Sequence, residues 1–536
     1  MISVFAGCAG NNEPPQGDTT PTPTTGQPQA TDDPDQQDQP DGEFSYPMET
    51  DVTLTYWLDL NGNVSTNFVN FGDTPLAKEL EKRTGIKVEY QHPAAGTAAD
   101  TFGIMAASND FPDIVEYNWI TGYAGGPELA LSNNLIVELS DKVNDYAPNL
   151  MKTLEENKEF DKAVKSDSGA YYAFPFISGD EMLLTTYGPA IRLDWLEKLN
   201  LPLPVTIDDW HKTLTAFKDE LGASAPIFLP YDDFARGVFI NAWGIKNGFH
   251  VEDGQVKYGP AEPVYEDFLI TMNKWYSEDL IDKNFASADG KVVDANILNG
   301  NTGARVTYPG SGIGRYVPAL KENDPNADLG PTTFPVLKEG ERSKISSRSS
   351  AVPGNGFAAI STNCENVEEA MRLLDYGYSE EGNLLFNFGI DGTSFEMVDG
   401  YPTMTDEVLA NETGMTVGQA WAQYARAPYN GPFVQRQEYI VQYNPLQQQK
   451  DCFTLWSDTD AADYMMPAIS VAKEDSAEYS RLITDLQTYV DEFSLRVIMG
   501  AESIDSFDEY TAQLKAQGIE RILEIQQAAL DNYNNR

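Results

Sequence analysis

Strand-like and helix-like segments alternate from the first apolar segment onward, and this alternation restricts the fold more than any other feature. Residues 52–58 alternate apolar and β-branched side chains, a pattern typical of a strand. Residues 74–82 place a threonine and a proline before apolar positions at helical spacing, and Gly85 ends that helix. Further strands are predicted at 86–90 and 113–117. The alternation predicts an α/β fold with mixed, mostly parallel sheets that carry helices on both faces.

The later part of the chain repeats these signals. Thr206 and Asp209 form a predicted capping box, followed by Trp210, Leu214 and Phe217 at helical spacing. Because the chain has 536 residues, it is too long for one core and we expect two or three domains.

Charge and hydropathy exclude several classes of protein. The formal net charge is −47, with 83 acidic and 36 basic residues, which argues against binding to nucleic acid or to a membrane through a basic surface. No apolar run approaches the roughly 18 residues that a membrane-spanning helix needs.

Catalytic motifs are scarce, and we predict that the chain is not an enzyme and needs no cofactor. None of the three histidines, His92, His211 and His250, lies in an H-E-x-x-H motif or follows a pair of cysteines. A nucleophile elbow and a phosphate-binding loop are also absent from the sequence. A glycosidase remains an alternative, since its two carboxylates cannot be recognised among so many acidic residues.

The N-terminus resembles a bacterial lipobox. Phe5-Ala6-Gly7 precedes Cys8, so residues 1–8 are interpreted as a truncated signal peptide and lipobox, with Cys8 as the lipidated residue. Residues 9–47 are rich in Pro, Thr, Asp and Gln and are predicted to be a disordered linker. We therefore expect a lipid-anchored protein on the extracellular face of the cytoplasmic membrane of a Gram-positive bacterium.

A colinear series of blocks along about residues 50–533 carries a family resemblance. It includes "LAKELEKRTGIKVEY", "ASNDFPDIVEYNW" and "AIRLDWLEKLNLPLPVTIDDWHKTLTAFKD". These blocks resemble extracellular solute-binding proteins of family 1, in particular the long carbohydrate-binding lipoproteins of ABC importers. The resemblance implies a two-lobe fold like that of type II periplasmic binding proteins, whose cleft closes over a ligand by hinge motion.

The resemblance also implies an organisation and a function. Lobe 1 is expected at 48–170 plus 302–363, and lobe 2 at 171–301 plus 364–536 with the C-terminal helices. The expected monomer captures a carbohydrate ligand, an oligosaccharide, and delivers it to the membrane subunits of the permease. A surface sensor and a peptide-binding lipoprotein are the alternatives.

Ligands of open α/β sheets bind beyond the carboxyl ends of the strands, and this rule selects loops. Sugars stack on aromatic rings and bond to carboxylates and amides, although each candidate has packing or an ordinary turn as its alternative. The predicted ligand-binding residues are Trp57, Asp59, Glu116, Asn118, Trp119, Trp243, Tyr308, Ser311, Asp391, Gly392 and Trp456.

Two further sites have weaker support. Asp324, Asn326 and Asp328 are spaced as at the start of a calcium loop, but the glycine and the closing glutamate are absent, so an Asp-rich turn is favoured. Cys364 and Cys452 could pair outside the cell, although two separate buried thiols are the favoured interpretation.

Overall fold

The computed structural model describes residues 44–230, 236–288 and 290–536. Cys8 and most of the predicted linker lie outside the described residues. The strands are β1 (Thr53–Trp57), β2 (Lys87–Gln91), β3 (Ile114–Tyr117), β4 (Ile177–Ser178), β5 (Gly188–Arg192), β6 (Ile227–Phe228), β7 (Phe249–Glu252), β8 (Gln255–Tyr258), β9 (Ala304–Thr307), β10 (Leu329–Pro331), β11 (Phe357–Ile360), β12 (Phe395–Val398), β13 (Tyr401–Met404) and β14 (Val434–Gln435).

The first lobe is built on a sheet of strand order β11-β3-β1-β2. β1 pairs in parallel with β2 and β3, and β11 closes the other edge antiparallel to β3. The helices with residues in its core are Gly62–Ser65, Pro75–Thr84, Ala98–Ser108, Gly126–Ser132, Val143–Tyr146, Pro148–Glu156, Lys158–Ala163, Val367–Asp375, Glu380–Phe388, Asp406–Leu409, Val417–Trp421 and Glu438–Tyr443.

The second lobe is built on a sheet of strand order β10-β5-β9-β6. β6 and β9 are parallel, whereas β5 is antiparallel to both β9 and β10. The helices packed around this sheet or continuing its core are Leu193–Leu199, Ile207–Leu221, Tyr265–Ser277, Gly290–Leu298, Gly314–Asn323, Gln447–Ser457, Lys473–Ile498, Phe507–Ala516 and Ile519–Asn535.

Local sequence signals set several of these boundaries as predicted. Thr74 caps the helix Pro75–Thr84 by accepting a bond from the backbone N–H of Ala77 at 3.1 Å. Gly85 ends that helix with a φ of 76°, a conformation that glycine adopts without steric cost. The predicted capping box of Thr206 and Asp209 is also confirmed, with both reciprocal bonds at 3.1 Å.

The lobes divide the chain differently from the prediction. The first apolar core takes residues between 54 and 183 and between 352 and 439, whereas the second takes residues between 190 and 334 and between 452 and 522. Thus 302–335 lies in lobe 2, because β9 pairs with β5 and β6, and most of 364–443 lies in lobe 1. The chain therefore crosses between the lobes at 184–189, 335–351 and 440–451 rather than at the expected lobe boundaries.

The C-terminal helix Ile519–Asn535 contacts both lobes. Ile522 is part of the second core, whereas Tyr533 packs into the first. Asn532 donates through Nδ2 to the backbone oxygen of Asp167 at 2.9 Å and to its carboxylate at 2.7 Å. The chain therefore connects the lobes again after its last crossing.

The two predicted thiols are separate. Cys364 lies in the first core and Cys452 in the second, and both are free and buried. Among the described residues, no helix combines the length and the apolar character required to cross a membrane.

Asp375 gives lobe 1 an unusual pH dependence. Its side chain is 1 % exposed, and burial raises its pKa from 3.8 to about 6, although Leu150 and Asn149 donate hydrogen bonds to it. A raised carboxyl pKa contributes stability below the unfolded pKa, and this contribution is lost as the pH rises through the folded pKa. Between pH 4 and pH 7 we expect the free energy of unfolding of wild type to fall by roughly 2 to 3 kcal/mol relative to that of Asp375→Asn. Urea unfolding of both proteins at each pH measures this, and parallel pH profiles would contradict it.

Candidate functional site

A cavity of about 760 Å³ lies between the two lobes. This volume is within the range of roughly 300–1,000 Å³ that is typical of small-molecule sites. Lobe 1 and the third crossing contribute Asn63, residues 416–419, Tyr443 and Pro445. The third crossing also contributes Leu446 and Gln449. Lobe 2 contributes Arg305, Thr307, Tyr308, Gly310, Ser311, Gly312, Gly314, Arg315, Tyr316, Pro318, Ala319 and Glu322.

One wall of the cavity is the turn that follows β9. Tyr308 ends the strand, and Pro309–Ile313 forms a π-helical turn before the helix Gly314–Asn323. A Cβ atom on Gly310 would lie 2.3 Å from Cε1 of Tyr443. The absence of a side chain there lets this turn of lobe 2 approach Tyr443 at the third crossing.

Tyr443 and Gln449 form the floor of the cavity where the chain crosses between the lobes. Burial raises the pKa of Tyr443, so its phenol stays protonated near neutral pH and can donate a hydrogen bond. Gln449 donates through Nε2 to the backbone oxygen of Pro309 and to Oδ1 of Asn444, both at 3.0 Å. These bonds hold the turn after β9 against the crossing.

The two arginines that line the cavity are hydrogen-bonded within lobe 2. Arg315 binds Asp294 through two hydrogen bonds of 2.6 and 2.7 Å, and the hydroxyl of Tyr316 donates to the same carboxylate at 2.5 Å. Arg305 donates through Nε to the backbone oxygen of Val306 at 2.7 Å. The site therefore offers rings, amides and hydroxyls held by a rigid network, an arrangement suited to a polyhydroxylated ligand.

Of the predicted ligand-binding residues, Tyr308 and Ser311 line this cavity. Tyr308 is 36 % exposed, so part of its ring surface is accessible. Ser311 is exposed on the π-helical turn. The rule that ligands bind beyond strand ends thus points to a loop that borders this candidate cavity, the one after β9.

Three predicted tryptophans are core residues instead. Trp57 is 2 % exposed, and Trp119 and Trp456 are fully buried. Trp119 donates through Nε1 to the backbone oxygen of Val115 at 3.2 Å, and Trp456 donates to that of Thr332 at 3.1 Å. Because their rings and polar atoms are used inside the lobes, these side chains are not available to a ligand.

Glu116 is likewise occupied inside lobe 1. It is 7 % exposed, and its Oε1 accepts a bond from Nη2 of Arg426 at 2.5 Å. Its Oε2 accepts a bond from the hydroxyl of Tyr56 at 2.7 Å. The residue therefore stabilises the core at the end of β3 rather than presenting a carboxylate to the cleft.

The remaining predicted residues do not line the cavity. Asp59 is exposed, and Asn118 accepts backbone bonds within its own loop and donates to Asn355. Trp243 packs edge-on against Phe268 in lobe 2. Asp391 and Gly392 form an exposed turn before β12, in lobe 1 rather than in the predicted lobe 2.

The weak calcium candidate is an Asp-rich turn. Oδ1 of Asp324 accepts the backbone N–H of Asn326 at 3.0 Å, and Oδ1 of Asp328 accepts Nε2 of Gln448 at 2.6 Å. Within the described ranges, no group of three or more His, Cys, Asp or Glu side chains is arranged to hold a metal ion.

Sequence reasoning missed Tyr443, Gln449, Arg315 and the segment 416–419. Tyr443 and Gln449 lie at a crossing that has no composition signal, and 416–419 starts a short helix that does not directly follow a strand. The useful signal was Pro309-Gly310-Ser311-Gly312, since a glycine-rich turn after a strand allows close approach of another segment.

Comparison with known proteins agrees with this geometry. The sequence profile described as bacterial extracellular solute-binding protein matches residues 72–384. The fructooligosaccharide ABC transporter substrate-binding protein FusA of Streptococcus pneumoniae is 23% identical over 530 residues, covering 91% of this chain and 92% of FusA. Lipoprotein LipO of Bacillus subtilis is 24% identical over 468 residues, covering 83% of this chain and 86% of LipO.

Solved structures are similar over nearly the whole chain. The alginate-binding protein AlgQ2 without calcium ion superposes with a TM-score of 0.76 and 25% identity, covering 91% of this chain and 100% of AlgQ2. FusA of S. pneumoniae in complex with kestose gives a TM-score of 0.72, at 21% identity and 90% coverage of this chain. These similarities identify the two-lobe architecture as that of type II periplasmic-binding-protein-like solute-binding proteins.

Proposed function

Because the chain belongs to the bacterial extracellular solute-binding protein family, we propose that its interlobe cavity captures an oligosaccharide and that the loaded form delivers it to the permease of an ABC importer. The family and the relatives are solute-binding proteins rather than enzymes. The proposed protein binds its ligand without bond chemistry, and Cys8 is the proposed attachment point to the extracellular face of the membrane.

The cavity between two separately packed lobes is the observation that carries the proposal. A ligand that contacts both walls favours the closed arrangement by its differential contacts with that arrangement. The tyrosine rings and amide groups of the walls match the apolar faces and the hydroxyls of a sugar. FusA is a fructooligosaccharide ABC transporter substrate-binding protein and AlgQ2 an alginate-binding protein, which supports a saccharide ligand here.

Isothermal titration calorimetry against a panel of oligosaccharides tests the proposal. We expect at least one saccharide to bind without being cleaved, with one ligand per chain. Chromatography of the panel after incubation checks that the sugars remain intact. Cleavage of a saccharide, or no binding across the panel, would overturn the proposal.

Tyr308→Ala should weaken saccharide binding by about tenfold, because a stacking ring is lost from the cavity wall. Tyr401→Ala is the matched control, since Tyr401 is 41 % exposed on β13 and does not line this cavity. Calorimetry measures both variants. Equal affinities of the two variants would show that the Tyr308 ring makes no contact with the ligand.

A further inference from the structure

A second cavity of about 290 Å³ lies where the chain crosses between the lobes, and we call it the hinge pocket. Its residues come from the first crossing, the second crossing, a loop of lobe 2 and the segment before the long C-terminal helices. They are Thr186, Tyr187, Lys246, Ser346, Ser347, Arg348, Ser349, Ser350, Pro353, Met465, Met466 and Ala468.

Lys246 brings a positive charge to this pocket that no described carboxylate pairs with. The side chain is partly buried, and in the described parts of the chain no carboxylate lies within ion-pair distance of it. Burial lowers its pKa, and no carboxylate contributes to the shift.

Arg348 adds a second set of donors. Its Nη1 and Nη2 atoms bind the exposed carboxylate of Glu181 at 2.6 and 3.0 Å. Its Nε atom is buried and has no hydrogen-bond partner among the described residues. A buried donor without an acceptor is costly, so an acceptor that enters the pocket would be stabilised there.

Two serine hydroxyls in the pocket can also donate. Oγ of Ser346 accepts the backbone N–H of Arg348 at 3.1 Å, and Oγ of Ser350 accepts that of Val352 at 3.2 Å. Because each oxygen already accepts a bond, its own proton is available for a ligand. Within the described residues, neither of these protons has an acceptor. The pocket thus combines a cation with several donors.

An aromatic wall joins the hinge pocket to the main cavity. Tyr187 lines the hinge pocket, and its ring centroid lies 5.7 Å from that of Tyr308, which lines the main cavity. The guanidinium of Arg236 lies 5.7 and 5.6 Å from these two centroids. A ligand of several sugar units that stacks on Tyr308 can therefore extend towards Tyr187 and the hinge pocket.

We propose that the hinge pocket binds a compact anionic oxygen group of the captured saccharide, a uronic acid carboxylate or a sulfate ester, through Lys246, Arg348 and the hydroxyls of Ser346 and Ser350. The inference rests on the proposed function and narrows its ligand class to acidic oligosaccharides. Because the pocket is formed by crossing segments, an acidic group held there also contacts the region that bends when the lobes close.

The test is calorimetry of the full chain with acidic oligosaccharides containing galacturonate, mannuronate, glucuronate or sulfate esters, each beside an uncharged counterpart of equal length. Inorganic sulfate is titrated as a separate arm. We expect at least one acidic saccharide to bind more tightly than its uncharged counterpart. Lys246→Met should weaken the binding of that acidic saccharide about 10- to 100-fold. Lys246→Arg should retain most of the affinity. Lys257→Met is the control, because Lys257 pairs with Glu262 outside the pocket, and it should leave the saccharide affinity unchanged.

The outcomes separate this inference from the proposed function. Neutral saccharides that bind better than acidic ones, with affinities unchanged in Lys246→Met, would overturn the inference and leave the proposed function standing. Lys246-dependent binding of sulfate without binding of any saccharide would overturn the proposed function and assign the pocket to a free anion. If thermal melting shows that the variants are folded but Lys246→Met binds every acidic probe as tightly as wild type does, the hinge pocket is not an anion site.

Discussion

Replacing Arg426 with methionine should lower the free energy of unfolding of lobe 1 by about 3–5 kcal/mol. Arg426 is 3 % exposed, and its Nη2 atom binds Glu116 at 2.5 Å within the core. The substitution leaves the carboxylate of Glu116 buried with only the hydroxyl of Tyr56 as a described partner. An unpaired buried charge costs more than the pair contributes, because water cannot replace the lost partner.

Two variants make this expectation specific. Glu116→Leu combined with Arg426→Met removes both charges and should recover most of the loss, since a buried pair can be replaced by apolar residues at little cost. Arg342→Met removes an arginine whose side chain is 51% exposed and paired with Asp460, and should have little effect on stability because solvent screens this surface pair. Urea unfolding followed by tryptophan fluorescence compares the three. If Arg426→Met alone were as stable as Arg342→Met, the pair of Glu116 and Arg426 would not have the stabilising role assigned to it.

The order of elements was predictable because their boundaries depend on neighbouring residues. Thr74, Gly85 and the Thr206 capping box act within one turn of their own helices, so the sequence reveals them directly. The assignment of segments to lobes depends on which strands pair. β9 pairs with β5, more than 100 residues earlier, and nothing local in Ala304–Thr307 identifies that partner.

The site was predictable only where a strand end and a glycine-rich turn coincide. Tyr308 and Ser311 meet both conditions and line the cavity. Trp57 and Trp119 also follow strand ends, but their rings turn into the core of lobe 1. The side of a sheet or loop to which a large ring turns is decided by tertiary packing, which composition and spacing do not report.

Ser311→Trp should abolish ligand binding, with a loss of at least about 100-fold, because an indole at this position occupies much of the space that a ligand needs. Ser311 is exposed and its side chain has no hydrogen-bond partner among the described residues, so the lobes should remain folded. Thermal melting is expected to shift by no more than a few degrees.

Ser311→Ala is the control and should bind nearly as tightly as wild type, since it removes only a hydroxyl from an exposed turn. Comparing the two variants by calorimetry separates occlusion of the cavity from loss of a polar contact. The result does not depend on the identity of the sugar, because any ligand seated between Tyr308 and Tyr443 must share that space. Unchanged affinity in Ser311→Trp would place the ligand outside this cavity, whereas equal losses in both variants would assign the effect to the hydroxyl.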